Sequence, residues 1–421
     1  MVYKVSDVFI PGGQPELTYV SRQDENLDRT MRHYFHGPKT AILSISGPTK
    51  SGKTVLIRRH FPDAIRLSGG MIDSSATFWA AVADSFELFT DHQLSVETES
   101  NDKFSAGGKI SGVIAEGSLG GETARATTKM LGRSKQRSHE LVARQALLEH
   151  KKTVVIDDFH YIPAAVQVEL IRSIKDLVFD GVPFVIAAVP HRAYDAVRVE
   201  KEMTGRVQQL TVGLWSDSDL LNIARQGFNA LNLVDDNDDI AKRLVAESFA
   251  SPQLMQQFCL NICLDLEIFE AAHSPAKVSA PDWPRFFQEG TSHSSKTAFD
   301  QLLIGPRQRT DRKQRRMSNG RASDIYGVVL SAIEKTGPKT QLTYEDLRTG
   351  IRQVLASDEK QPERHEVIRI LDEMTKIARD RIEGEPVLEY DGPMSTLYIA
   401  DPFFAFYLRH APHELQNPEQ Q

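Results

Sequence analysis

The feature that most constrains this chain is a glycine-bounded loop that directly follows an apolar run. The run is Ala41-Ile42-Leu43-Ser44-Ile45-Ser46, and the loop is Gly47-Pro48-Thr49-Lys50-Ser51-Gly52-Lys53-Thr54. A glycine, four residues and then Gly-Lys-Thr is the spacing of a P-loop, whose glycines let several backbone N–H groups point at a phosphate. Residues 55–60 can continue as a helix, and a helix N-terminus favours anions. The sequence therefore predicts a strand, a phosphate-binding loop and a helix, in that order.

Each residue type in this loop has a chemical reason to be there. All eight residues from Gly47 to Thr54 are candidate nucleotide-binding residues. Lys53 is expected to reach the β- and γ-phosphates, and the Thr54 hydroxyl is expected to ligate Mg²⁺. ATP and Mg²⁺ are therefore the expected cofactors. The alternative is a glycine turn beside an ordinary surface lysine, which would not require a matching motif elsewhere in the chain.

Two carboxylates at the end of a second apolar run supply a matching motif. Thr153-Val154-Val155-Ile156 leads directly into Asp157 and Asp158. A β-branched run of this kind is typical of a buried parallel strand. In P-loop enzymes the first carboxylate holds Mg²⁺, which makes Asp157 a candidate metal ligand. The second orients or deprotonates the attacking water, which makes Asp158 a candidate catalytic residue. The alternative for the pair is a capped helix start.

Further apolar runs alternate with helical patterns along the chain. The runs at 64–67, 184–189 and 207–212 are separated by amphipathic stretches, which is the order of a doubly wound parallel sheet. Ligands bind at the carboxyl ends of the strands in such sheets. His191 and Arg192 follow the 184–189 run and are therefore further candidate nucleotide-binding residues. A helix cap with solvated charges is the alternative for these two residues.

Together these motifs resemble those of AAA+ ATPases in their initiator and STAND (signal-transduction ATPase) branches. Asp157-Asp158-Phe159-His160 is similar to the STAND form of the Walker B motif. Tyr19-Val20-Ser21-Arg22 resembles the amino-terminal box of these proteins, with Ser21 where the box usually has glycine. Ser251-Pro252-Gln253-Leu254-Met255 resembles the proline segment of their helical lid. The resemblance covers roughly residues 17 to 270.

The resemblance implies roles for four basic residues. Arg22 would sit against the nucleotide base, and His191 or Arg192 would stand at the sensor 1 position. Arg206 would act as a catalytic finger that reaches the γ-phosphate held by the next subunit of an assembly, where positive charge stabilises the transition state. The alternative for Arg206 is an ordinary surface arginine.

The predicted fold class is α/β: a P-loop doubly wound parallel sheet with a helical lid, plus a C-terminal winged-helix domain. The last part of the chain carries three helical patterns followed by a hairpin, which is the order of a winged helix. The predicted divisions are an N-terminal segment with the arginine box (1–37), a P-loop core (38–215) with an insertion at about 94–135, a helical lid (216–290), a basic linker (291–322), the winged helix (323–412) and a tail (413–421). The glycine-rich insertion is either a surface loop or a mobile hairpin that touches a neighbouring subunit or nucleic acid.

Charge and composition limit the partners. The formal net charge of −7 argues against a protein that coats nucleic acid through its overall charge. A basic stretch at 307–321 is either a solvated linker or an arm that contacts nucleic-acid phosphates. Cys259 and Cys263 are expected to be buried thiols on one helix face. The apolar runs are too short to span a membrane, so we expect a cytoplasmic protein without membrane contact.

The expected function is an ATP-binding and ATP-hydrolysing molecular switch that controls its own oligomeric assembly and a partner protein. The habits of STAND families imply bacterial antiviral defence as the process it serves. One alternative is a DNA-transaction ATPase that resembles origin initiators or transposon target-selection ATPases. A second alternative is a nucleotide-gated scaffold with negligible hydrolysis.

Overall fold

A five-stranded parallel sheet forms the centre of the N-terminal part of the chain. The computed structural model describes residues 2–22, 26–87, 91–94, 133–136, 138–189, 205–307, 311–337, 339–382 and 384–411. The sheet strands, in chain order, are β1 (Ile42–Ser46), β2 (Ile65–Ser68), β5 (Val154–Asp157), β6 (Phe184–Ala188) and β7 (Val207–Thr211). Their spatial order is β2-β5-β6-β1-β7, and every neighbouring pair is parallel. All five carboxyl ends therefore lie at one edge of the sheet, with β6 between the P-loop strand β1 and the acidic strand β5.

Helices cover both faces of this sheet. The helices are α2 (Leu27–His36), α3 (Lys53–His60), α4 (Ser75–Asp84), α5 (His139–His150) and α6 (Ala164–Phe179). Buried residues of α4, α5 and α6 form a core with one face, and buried residues of α2 and α3 form a core with the other. Strands covered on both faces are continuously apolar, and β1 and β6 are buried along their whole length. The predicted α/β class with a doubly wound parallel sheet is confirmed.

A two-stranded antiparallel stem stands between α4 and α5. Strand β3 (Asp91–Leu94) pairs with β4 (Arg133–Gln136), and Asp91 lies opposite Gln136. The predicted insertion at about 94–135 therefore begins and ends in this stem. Residues 95–132, with the insertion's glycine cluster, lie outside the described residues.

A helical unit follows the sheet. Its helices are α7 (Asp217–Ala230), α8 (Asp239–Glu247), α9 (Pro252–Asp265) and α10 (Trp283–Glu289), and a short parallel pair joins β8 (Leu233–Val234) to β9 (Ala276–Lys277). Ser216 and Ser251 cap α7 and α9 because their side chains accept hydrogen bonds from backbone N–H groups in the first turn. The first helix of the chain, α1 (Val5–Val8), packs into the core of this unit. Cys259 and Cys263 are buried free thiols in α9, as the sequence predicts.

The C-terminal domain has helix, strand, helix, helix, strand, strand and helix in succession. These elements are α12 (Ile325–Lys335), β12 (Gln341–Thr343), α13 (Tyr344–Val354), α14 (Arg364–Asp380), β13 (Leu388–Asp391), β14 (Thr396–Ile399) and α15 (Pro402–His410). The three predicted helices and the hairpin are present, and β12 joins the hairpin to make a three-stranded antiparallel sheet.

The segment 291–322, predicted as a basic linker, differs from that description in the structure. It contains α11 (His293–Ile304) and the antiparallel pair of β10 (Arg315–Arg316) with β11 (Ala322–Ser323). Ala298, Phe299 and Leu302 of α11 are buried in the core of the C-terminal domain. The apolar side of α11 therefore fixes this part of the segment to the domain. No helix among the described residues is both long enough and apolar enough to cross a membrane.

Candidate nucleotide-binding site

A cavity of about 350 Å³ opens at the carboxyl edge of the sheet. Its lining includes the N-terminal segment from Ile10 to Arg22 with Leu27 and Asp28, the P-loop with the start of α3, and the helical unit through Ile223 and Gln256; Asp158, Val212 and Glu385 also line it. A volume of this size is within the range of small-molecule sites. The parallel sheet places the cavity where ligands bind in folds of this class.

The P-loop residues from Lys50 to Thr54 line this cavity. Gly52 has a φ of 93° directly before α3, a conformation that glycine adopts without strain. The Lys53 ammonium donates to the carbonyl oxygens of Gly47 at 2.9 Å and Pro48 at 2.8 Å. Burial lowers the pKa of Lys53, whereas Glu385, Asp157 and Asp158 act in the opposite direction. The lysine is thus folded back on its own loop and surrounded by carboxylates.

The two candidate metal-binding residues are in direct contact. The Thr54 hydroxyl donates to the Asp157 carboxylate at 2.8 Å, although 103 positions separate the two residues in the chain. The contact joins the start of α3 to the end of β5. Mg²⁺ prefers hydroxyl and carboxylate oxygens, so this oxygen pair fits the metal that the sequence predicts.

Asp158 follows Asp157 directly, with a left-handed backbone conformation and a carboxyl group whose pKa is raised. Its φ is 53°, and a Cβ atom on Gly69 would come within 2.2 Å of its carbonyl oxygen. A side chain at position 69 would therefore push the acidic turn away. Burial, then the charges of Asp157 and Glu385, raise the pKa of Asp158 to about 6, while Lys53 opposes the shift. A carboxylate with such a pKa is suited to accept a proton near neutral pH.

Arg22 ties the N-terminal segment to the P-loop. It is buried, and its guanidinium donates to the carbonyl oxygens of Gly213 at 3.1 Å and Leu214 at 2.9 Å. Trp215, whose ring lies 5.2 Å from the Arg22 guanidinium carbon, donates its indole N–H to the Ser51 carbonyl at 2.8 Å. Arg22 and Trp215 both line the cavity. The role against the base that was expected for Arg22 stays a prediction.

Two acidic residues of the C-terminal domain also reach this region, and nothing in the sequence pattern pointed to them. Glu385 lines the cavity together with Lys53 and Asp158. Asp401 accepts from the Lys50 ammonium at 2.7 and 2.8 Å through its two carboxylate oxygens. The Lys50 ammonium also lies 4.4 Å from the centre of the Phe403 ring. The only sequence signal near these residues is Asp401-Pro402, which is a helix start.

The remaining candidate site residues are Arg206, His191 and Arg192. Arg206 directly precedes β7, and its guanidinium carbon lies 5.0 Å from the centre of the Phe179 ring. Because β7 is parallel to β1 with Val207 opposite Ile42, Arg206 lies at the opposite edge of the sheet from the cavity of its own chain. A finger role could therefore be exercised only on another copy. His191 and Arg192 lie outside the described residues.

The basic segment at 307–321 is partly neutralised within the chain. Arg312 contacts Asp324 at 2.6 Å, and Arg315, which is only 4% exposed, contacts Glu366 at 2.6 Å. Arg316 contacts Asp358. These three arginines hold the segment to the C-terminal domain rather than projecting as a free cationic arm.

The chain matches no family model and no curated protein. Among solved structures, it is similar to the Aeropyrum pernix ORC2 protein in ADPNP and ADP complexes, with 13% identity, a TM-score of 0.48 and coverage of 96% of this chain and 97% of that one. It is also similar to the A. pernix ORC1 protein in complex with DNA, with 11% identity, a TM-score of 0.45 and coverage of 97% and 96%. For Cdc6p from Pyrobaculum aerophilum the identity is 10%, the TM-score is 0.41 and the coverage is 96% and 97%. Identities this low concern the fold alone, and TM-scores below 0.5 are too low to transfer a function.

Proposed function

We propose that this chain is an Mg²⁺-dependent ATPase of the AAA+ type that works as a molecular switch. The observation that carries the proposal is the 2.8 Å contact between Asp157 and Thr54, a residue that lines the cavity. It joins the two separate motifs that a triphosphate and its metal require. Lys53 and Asp158 line the same cavity.

Each of these residues has one task in the proposal. The backbone of the P-loop and the Lys53 ammonium bind the phosphates, and Thr54 and Asp157 hold the metal. When bound, Mg²⁺ supplies positive charge that offsets the charge developing on the phosphoryl oxygens. Asp158 accepts the proton of the attacking water or orients that water.

The switch acts through assembly. Arg206 is turned away from the cavity of its own chain, so its proposed finger role requires a second copy, and ATP bound between copies would then favour the assembled state. Control of a partner protein, with bacterial antiviral defence as the process, and a cytoplasmic location complete the proposal. The antiviral process comes from the STAND resemblance of the motifs, and the location comes from apolar runs that are too short to span a membrane.

Calorimetry and phosphate release on three variants test the enzymatic core. Lys53→Ala should abolish heat on mixing with ATP and Mg²⁺, whereas Asp158→Asn should bind ATP and release phosphate about 10² to 10⁴ times more slowly. Lys335→Ala, which removes an exposed lysine of the C-terminal domain, is the matched control and should change neither quantity. Binding and turnover that survive in Lys53→Ala would refute the proposal. ATP binding without phosphate release in the intact protein would favour the scaffold alternative.

A further inference from the structure

Arg22 uses its guanidinium to hold backbone carbonyls. It is 6% exposed, and both of its terminal nitrogens donate to the Gly213 carbonyl at 3.1 Å, while one of them also donates to the Leu214 carbonyl at 2.9 Å. Gly213 and Leu214 lie between β7 and α7. Arg58, which lines the same cavity, is exposed. Arg22 therefore fixes the turn after β7 to the N-terminal segment, and Arg58 is the more accessible arginine of the two.

Trp215 carries this restraint to the P-loop. Its ring lies 5.2 Å from the Arg22 guanidinium carbon, a distance at which a cation and an aromatic ring attract each other. The indole N–H is the only hydrogen-bond donor of a tryptophan side chain, and it donates to the Ser51 carbonyl at 2.8 Å, across 164 positions of the chain. Because Trp215 directly follows Leu214, the contacts of Arg22 with the Leu214 carbonyl and with the ring together set the direction of this donor.

The carbonyl that Trp215 holds belongs to the peptide group between Ser51 and Gly52. In a trans peptide the C=O and the N–H point in opposite directions, so holding the Ser51 carbonyl also sets the direction of the Gly52 N–H. Gly52 has a φ of 93°, and glycine adopts positive and negative φ about equally well, so this residue alone does not stop the peptide group from turning. A Cβ atom on Gly52 would lie 3.9 Å from a carbon of the Trp215 ring, so the tryptophan lies against the glycine. A P-loop binds phosphate through backbone N–H groups, and Trp215 therefore restrains a donor that the phosphates need.

We propose that Arg22 and Trp215 are positioning residues that hold the Ser51–Gly52 peptide group in its phosphate-binding orientation. The inference rests on the proposed function, because it concerns the same nucleotide site. It assigns Arg22 a task different from the contact with the base that the resemblance implies. The N-terminal segment acts on the phosphates through the turn after β7 and through Trp215. The two residues therefore affect all ligands with the same phosphates to the same extent, whichever base is attached.

The test compares two ligands, both with Mg²⁺: a non-hydrolysable ATP analogue, and inorganic tripolyphosphate, which has the phosphates without the base. Trp215→Phe keeps an aromatic ring beside Arg22 and removes the N–H donor. Arg22→Lys keeps the charge and removes the planar fork that serves two carbonyls. We expect each variant to weaken binding of both ligands by the same factor, about three- to tenfold. Trp283→Phe makes the same change at another half-buried tryptophan, outside the cavity, and should leave both dissociation constants unchanged.

A double variant tests whether the two residues act through one chain of contacts. Arg22→Lys combined with Trp215→Phe should bind both ligands about as weakly as either single variant, because the second change removes a restraint that is already lost. Losses that multiply in the double variant would overturn the inference.

Two results from the single variants would also overturn it. Weaker binding of the ATP analogue with unchanged binding of tripolyphosphate in Arg22→Lys would place Arg22 against the base. Unchanged binding of both ligands in Trp215→Phe would leave the indole N–H without a role in binding, and this variant decides by itself if Arg22→Lys does not fold. The proposed function fails separately, if the unmodified chain does not bind the ATP analogue.

Discussion

Lowering the pH from 7 to 5 should remove most of the ATP hydrolysis that depends on Asp158. Burial, Asp157 and Glu385 raise the pKa of its carboxyl group to about 6, so the base form is present above that pH and is lost as the pH falls through it. The ionised fraction would drop from about nine tenths at pH 7 to about one tenth at pH 5, and kcat/KM should fall about tenfold. An ordinary aspartate, with a pKa near 3.9, would remain about nine tenths ionised at pH 5. The assay is phosphate release at concentrations of the Mg²⁺–ATP complex below KM, which yields kcat/KM, because this ratio reports the ionisations of the free enzyme.

The titration of ATP itself must be separated from that of Asp158, since a terminal phosphate also titrates near pH 6. Glu385→Gln provides the separation. It removes one of the charges that raise the pKa of Asp158, whereas the pKa of the terminal phosphate of free ATP stays the same. We expect the acid limb of kcat/KM to move to lower pH in this variant. A limb that stays in place, or a rate that is equal at pH 7 and pH 5, would refute the electrostatic reasoning.

Three further predictions follow from other parts of the structure. Arg206→Ala alone should hydrolyse ATP about 10³ times more slowly than the unmodified chain. Mixing it with Asp158→Asn should restore part of the rate, because one variant keeps Asp158 and the other keeps Arg206. The absence of any recovery would exclude a finger that acts between copies. Phe406→Ala should lower the free energy of unfolding by about 3 to 5 kcal/mol in a urea titration, because this residue is 1% exposed. The control is Phe269→Ala, at a residue that is 64% exposed, which should change the free energy of unfolding by about 0.5 kcal/mol or less. Because three linker arginines are already paired, we expect no gel shift of duplex DNA at about 50 mM salt; a shift that weakens steeply toward about 200 mM would favour the DNA-transaction alternative.

Local patterns in the sequence were sufficient for the sheet and for the residues nearest the phosphates. Strand β1 and strand β5 are buried on both faces, so each stands out as a short, mostly apolar run followed by a loop or by acids. Gly52 has a φ of 93°, and a Cβ atom on Gly47 would come within 2.5 Å of the Val212 carbonyl oxygen, so the shape of the loop requires both glycines of the motif. Helix α11 was missed as part of the C-terminal core because the charges that follow it dominate the composition of residues 291–322. Its buried side, formed by Ala298, Phe299 and Leu302, is short.

The sequence by itself determined that a P-loop and an acidic strand would share one edge of a parallel sheet, because parallel strands place all their carboxyl ends together. Only the tertiary structure decided that Thr54 contacts Asp157, that β6 separates their strands, and that Glu385 and Asp401 reach the same loop. Asp401 lies 351 positions from Lys50 along the chain. No periodicity or spacing encodes such a contact, because it depends on how α15 packs between the helical unit and the C-terminal domain.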